Sequence, residues 1–247
     1  MAYLSAVQWT DHLLFFLLGI LLPAVLFVTG RRRAASRAPG NFTTPVKLRL
    51  YYGNGLLFYG LAGLVLLSWW FGGRAPAALG LGWGRGPYPA VAVVVLVLFI
   101  LGYFWDLYRQ LGSADRRREA REELRRLGFL PVSGREYVHW LFLAVAAGVG
   151  EEIVYRGFLI NYLLAVLPPG GGGRAVALLL PALSFGLGHF YQGGRAVVKI
   201  VCMALIFGYF FLVTGTLWPL ILLHAAVDTV AGLLSWYLLG RVGEEEI

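Results

Sequence analysis

Six ionisable residues, Glu151, Glu152, Arg156, His189, His224 and Asp228, stand inside otherwise apolar stretches in the second half of the chain. Together they are the side chains of acid–base hydrolysis: carboxylates to activate water, imidazoles to move protons or polarise a carbonyl, and a guanidinium to hold a carboxylate in place. A charged group left unpaired at the centre of a bilayer costs at least ~2.5–3.5 kcal/mol, so a set of them in apolar helices is a functional hypothesis by default.

Their spacing adds detail. In GVGEEIVYRGFL, Arg156 follows Glu152 by one helical turn on the same face, which predicts an ion pair. Glu151 points elsewhere around the helix, shares its stripe with Tyr155, and has no ionic partner in its own helix. A buried carboxylate of that kind suits general acid–base work, and two acids in different surroundings suggest two roles. Phe185 and His189 share a face in FGLGHFYQGG, as do His224 and Asp228 in HAAVD. The plainer alternatives are an ion-pair knot for the Glu–Arg group and a packing role for each histidine. The second, unpaired Glu and the presence of histidines on separate spans favour a site.

The scaffold these residues need is a membrane bundle. The chain has 247 residues, 59% hydrophobic and 14% charged, with a mean hydropathy of +0.71, which excludes an ordinary soluble core. Spans of ~20 apolar residues are required to cross the hydrocarbon layer. Candidates lie at 9–29, 50–71, 88–108, 137–166, 175–190, 197–213 and 217–239, predicting an all-α polytopic bundle of about seven spans, within a range of six to eight. Straight spans would put His189 near the inner end of its helix and His224 in the outer half of its own. The short fifth stretch is therefore expected to stop within the membrane, with Tyr191 to Gly194 bordering a wet pocket.

The loops carry the formal net charge of +8. Residues 30–49 hold Arg31, Arg32, Arg33, Arg37, Lys47 and Arg49, and residues 109–136 hold eight arginines, whereas the alternate loops hold only Arg74 and Arg85, then Arg174. This asymmetry predicts an external N-terminus and a cytoplasmic C-terminus with Glu244, Glu245 and Glu246 inside. Basic residues in loops point to anionic lipid headgroups as partners rather than nucleic acid. No basic residue precedes the first stretch and arginines follow it, as expected of a retained span rather than a cleaved signal. Residues 113–127, opened by Ser113, read as a short surface helix or a solvated linker. Cys202, the single cysteine, is expected to be a small core residue. The expected organisation is an N-terminal unit 1–135 of three spans and a basic loop, a catalytic core 136–240, and an acidic tail 241–247. No internal repeat of the kind found in duplicated transporters is visible.

At the polar positions the sequence resembles the glutamate-type intramembrane endopeptidases that include the type II CAAX prenyl proteases and the bacteriocin-processing and self-immunity proteins. Their pattern, E-E-x-x-x-R, then F-x-x-x-H, then H-x-x-x-N/D, is met in order by Glu151, Glu152 and Arg156, by Phe185 and His189, and by His224 and Asp228, and TGTLWPLILLHAAVD looks like the family's last helix. The resemblance covers about 136–240. It implies a metal-independent, cofactor-free endopeptidase in which Glu151 activates water with help from His189, Glu152 tunes the site through Arg156, and His224 and Asp228 polarise the scissile carbonyl and stabilise the oxyanion. Tyr155 and Phe185 would support them. The position of Asp228 is often Asn in the family. An ionised Asp cannot donate to an oxyanion, so Asp228 is either protonated or accepts from His224 and fixes its tautomer.

The implied substrate is a peptide or membrane protein, lipid-modified or not, and the implied location a multi-pass place in a prokaryotic inner or plasma membrane. Three other readings stay open. Glu151, His189, His224 and Asp228 are all zinc-ligand types, although no H-E-x-x-H is present. The cluster also fits a non-catalytic immunity or scaffold protein, or a proton relay in a transporter.

Overall fold

The computed structural model describes residues 7–36, 42–84 and 88–240, and among these it contains helices and no strand. The tail 241–247, Arg37 and Arg85 lie outside the described residues. Helix α1 runs from Trp9 to Ser36, with a wider π-helical stretch at Phe15–Leu21. It is followed by α2 (Thr44–Phe71), α3 (Ala90–Leu111) and the short α4 (Ala114–Leu127). Then come α5 (Gly134–Val166), which is π-helical over Glu152–Ile160, α6 (Gly171–Gly188), α7 (Gly194–Thr214) and α8 (Trp218–Leu239).

Seven of these, all but α4, are long and apolar enough to cross a membrane, so the chain is an integral multi-pass membrane protein. All seven expected spans are present. Their order of burial decides the architecture: 61% of the apolar window of α5 is buried inside the bundle, against 6% for α3. Helix α5 is the central post, packed on α2 and α8, and α3 is a lipid-facing outrider held mainly by α7. The surface helix α4 starts as expected, with the Ser113 hydroxyl accepting from the Arg116 amide at 3.3 Å.

Glycines on two faces of α5 set how closely its neighbours approach. A Cβ at Gly148 would stand 3.0 Å from the Ala225 amide nitrogen and the Ile221 carbonyl of α8. One at Gly150 would stand 2.7 Å from the Phe58 carbonyl of α2. Lipid tails are as apolar as leucine, so close backbone contact through small residues is how such helices associate. Here it brings α2 and α8 against α5 beside Glu151.

Two buried ion pairs were not foreseen. Lys47, expected in the first basic loop, lies inside α2 and donates to Glu136 at 2.9 Å and to the Leu130 carbonyl at 2.9 Å. Glu136 also accepts from the Thr44 hydroxyl at 2.7 Å and the Val132 amide at 2.9 Å. Past the other end of α2, Arg74, expected in an external loop, grips both carboxylate oxygens of Asp11 in α1 at 2.9 and 3.0 Å and stacks its guanidinium over Trp69. Both pairs sit at helix ends, where charge patterns read as loops, and only packing turns the side chains inward. Cys202 also departs from expectation: it faces out of the bundle.

Gly150→Ala is expected to force α2 away from α5 and to lower the melting temperature in detergent by several degrees, as overpacking of about 1–3 kcal/mol would. Gly60→Ala, where the added methyl meets nothing within 4 Å, is the control.

Candidate active site

Glu151 is the last residue of the first α-helical stretch of α5, and Glu152 opens the π-helical stretch. A π-turn bonds i to i+5, widens the helix and is often found at functional sites. Arg156 Nη1 still reaches Glu152 Oε1 at 2.8 Å, as its spacing predicts. The guanidinium lies between two aromatic faces, 4.8 Å from the centroid of Phe185 on α6 and 5.5 Å from that of Phe207 on α7. Such a cage holds a cation in an apolar interior.

The same Glu152 Oε1 takes a second partner from α8: His224 Nδ1 lies 2.7 Å away. A carboxylate accepts, so Nδ1 carries the hydrogen and Nε2 faces the opposite way. There it meets Glu151 Oε2 at 3.4 Å and Asp228 Oδ2 at 3.8 Å. Glu152, and not Asp228, is therefore the carboxylate that fixes the His224 tautomer.

Helix α6 ends at Gly188, and a tight turn follows at Phe190–Gln192, leaving His189 as the capping residue between them. Its Nδ1 lies 2.8 Å from the Phe185 carbonyl, an acceptor only, so Nδ1 bears the hydrogen and Nε2 presents a lone pair. That Nε2 is 4.0 Å from Glu151 Oε1, beyond direct hydrogen-bonding range. The separation expected of straight spans is not seen: both histidines face one carboxylate, one at each oxygen. Tyr155 and Phe185 line the cluster, with rings packed edge to face at 4.9 Å.

Burial divides the cluster. Glu152, Arg156 and His224 are sealed, at 0%, 2% and 3% exposure, while the His189 and Asp228 side chains are 20% and 30% exposed. The cluster is thus most open at His189 and Asp228. Inside the seal, Glu152 Oε2 and Arg156 Nη2 have no hydrogen-bond partner among the described residues. No group of three or more His, Cys, Asp and Glu among the described residues has the arrangement of a metal site.

Sequence reasoning missed several supports. Phe207 packs against both Arg156 and the His224 ring, and as one aromatic in an apolar helix it carries no sequence signal. Trp140 donates through Nε1 to the Asp228 carbonyl at 2.9 Å; a buried indole needs a partner, which is the signal that was available. The Tyr103 hydroxyl donates to the Val227 carbonyl at 3.3 Å, and the Tyr191 ring stacks on His189 with centroids 6.2 Å apart.

All eight residues singled out from the sequence thus lie on α5, on α8 or at the end of α6, around one carboxylate. Residues 133–230 match the family model described as Type II CAAX prenyl endopeptidase Rce1-like. This agrees with the resemblance read from the motifs. The matched region takes in α5, α6, α7 and most of α8, including every residue of the cluster. No curated protein and no solved structure matches the chain.

Arg156→Met, which keeps the volume and removes the charge, leaves Glu152 buried with His224 as its sole partner. Breaking a buried pair costs about 3–5 kcal/mol, so a large loss of thermal stability in detergent is expected. Adding Glu152→Gln, which removes the orphaned charge, should restore much of it, and a double-mutant cycle measures the coupling.

Proposed function

We propose that the protein is an intramembrane endopeptidase that uses Glu151 to activate water, cleaving a CAAX-type tail or another peptide or membrane-protein substrate. The observation that carries this reading is the placement of two imidazole nitrogens at the two oxygens of one buried carboxylate, with a gap on one side and near-contact on the other. A water about 2.8 Å from each atom fits the 4.0 Å gap between Glu151 Oε1 and His189 Nε2.

In this scheme the water donates one hydrogen bond to Glu151 and one to the lone pair of His189. As its oxygen attacks the scissile carbonyl carbon, its proton passes to Glu151, and the carbonyl π pair moves to oxygen. His224, charged at this step and held by Glu152 at Nδ1, turns Nε2–H from Glu151 to the oxyanion. Collapse of the tetrahedral intermediate breaks the C–N bond, and the proton held by Glu151 goes to the leaving nitrogen. No covalent enzyme intermediate forms. Arg156 touches neither water nor substrate; it balances Glu152 so that Glu152 can hold the His224 imidazolium. Asp228, partly exposed and 3.8 Å from Nε2, completes the carbonyl side by donating a hydrogen bond when protonated.

Glu151→Gln is expected to lower kcat by at least about a thousandfold on a fluorogenic farnesylated peptide ending in a CAAX sequence, or to cause native membrane peptides seen by mass spectrometry to accumulate. Cleavage that survives this substitution would sink the water-activation scheme. Asp228→Asn, which supplies an N–H donor in place of a protonated carboxyl, is expected to stay within about tenfold of the parent, whereas Asp228→Leu should lose 10²–10³-fold, about the effect of an oxyanion donor. An Asn variant as inactive as the Leu variant would remove Asp228 from this role.

A further inference from the structure

Beside the reaction centre, and separate from it, lies a cavity of about 1060 Å³ bounded by α3, α4, the turn after α6, and the facing sides of α7 and α8. Two tyrosines join it to the cluster. Tyr191 is part of its wall and stacks on His189, and Tyr103 is part of its wall and bonds the carbonyl of Val227, the residue before Asp228. On α8, Ala231 lines the cavity one turn beyond Asp228. The cavity therefore lies against the flank of the cluster that carries His189 and Asp228, its more exposed side chains.

Its charged lining is unequal. Three cations, Arg126, Arg195 and Lys199, face two acids, Asp106 and Glu123. Lys199 is committed to Asp106 at 2.7 Å. Arg195 stands 4.0 Å from Glu123 with the two side chains 96% and 66% exposed, a geometry that contributes little. Arg126 makes no ion pair among the described residues. One guanidinium without an ion pair among the described residues and one only loosely paired can thus turn to an anion, in a space otherwise walled by tyrosines, Gln110, Gln192 and aliphatic side chains. Planar guanidinium forks match carboxylates better than any other side chain does.

Resting on the peptidase reading above, we infer that this cavity is a substrate subsite that selects an extended peptide segment bearing a carboxylate, held by Arg126 and Arg195, next to the bond presented to Glu151. Tyr191 is the threshold between the two spaces, its ring serving both as subsite wall and as the support of His189. The carboxylate is either the free C-terminus of the substrate or an acidic side chain, since the guanidiniums recognise the same group in both.

The test uses full-length Glu151→Gln protein in detergent, which binds without turnover on the scheme above, and three dansylated, farnesylated hexapeptides of one sequence: a free acid, its C-terminal amide, and the amide carrying an internal Glu. The free acid or the Glu peptide is expected to bind about five- to tenfold tighter than the plain amide, with the difference shrinking as salt is raised. Whichever of the two gains identifies the source of the carboxylate. Arg126→Glu with Arg195→Glu should abolish the preference, and because both residues are exposed, the elution profile and helical circular dichroism should match the parent. Equal affinities for all three peptides, absence of binding, or a preference that survives the double substitution would overturn the inference. Cleavage by the Glu151→Gln protein is the separate measure: if it persists while the carboxylate preference holds, the water scheme fails and the subsite stands. If cleavage is lost and no preference is found, the subsite alone fails.

Discussion

One carboxylate oxygen organises this protein. Glu152 Oε1 accepts at once from Arg156 of its own helix and from His224 of α8, both within 2.8 Å. Each of the three groups would be costly to bury alone, and the low dielectric that makes them costly also makes their mutual attraction strong. The knot therefore fixes α8 against α5 in one register, aims His224 Nε2 at Glu151, and leaves Glu151 as the carboxylate with no cation of its own. The sharing of Oε1 also explains why Glu152 Oε2 and Arg156 Nη2 have no partner among the described residues: the geometry of the knot converges on one oxygen.

The surrounding structure keeps that knot dry. Small residues let α2 and α8 close on α5 at Gly150 and Gly148, on either side of Glu151. The phenyl rings of Phe185 and Phe207 give the Arg156 charge an apolar housing that still interacts with it. Lys47–Glu136 near the start of α2 and Arg74–Asp11 past its end clamp that helix to α5 and to α1, away from the chemistry. Helix α3, little buried, touches the cluster's surroundings through Tyr103 and walls the neighbouring cavity with Tyr103 and Asp106.

The division of the polar residues is where structure altered the reading most. From spacing, Glu152 pairs with Arg156 and His224 pairs with Asp228, because one-dimensional order relates only residues on the same helix. Across helices the partners regroup: Glu152 holds His224, and Glu151 faces both histidines. His189 comes within 4.0 Å of Glu151 from the turn that closes α6, a turn visible in the sequence as the Gly-rich end of an apolar stretch. Lys47 and Arg74 mislead for the opposite reason, since a charge at a helix end reads as solvated until a neighbouring helix covers it.

The sequence by itself determined the number of spans and the eight side chains that gather around Glu151, because hydrophobic runs of membrane length and ionisable residues within them are both strongly constrained by the bilayer. The Glu152–Arg156 pair was also legible, being local to one helix. Only the tertiary structure decided which nitrogen faces which carboxylate, which face of the cluster is open, that Phe207 and Trp140 support it, and that a basic cavity adjoins it. Those are relations between helices, set by the depth, rotation and closeness of packing that small residues and early helix ends allow, and no periodicity within a single segment encodes them.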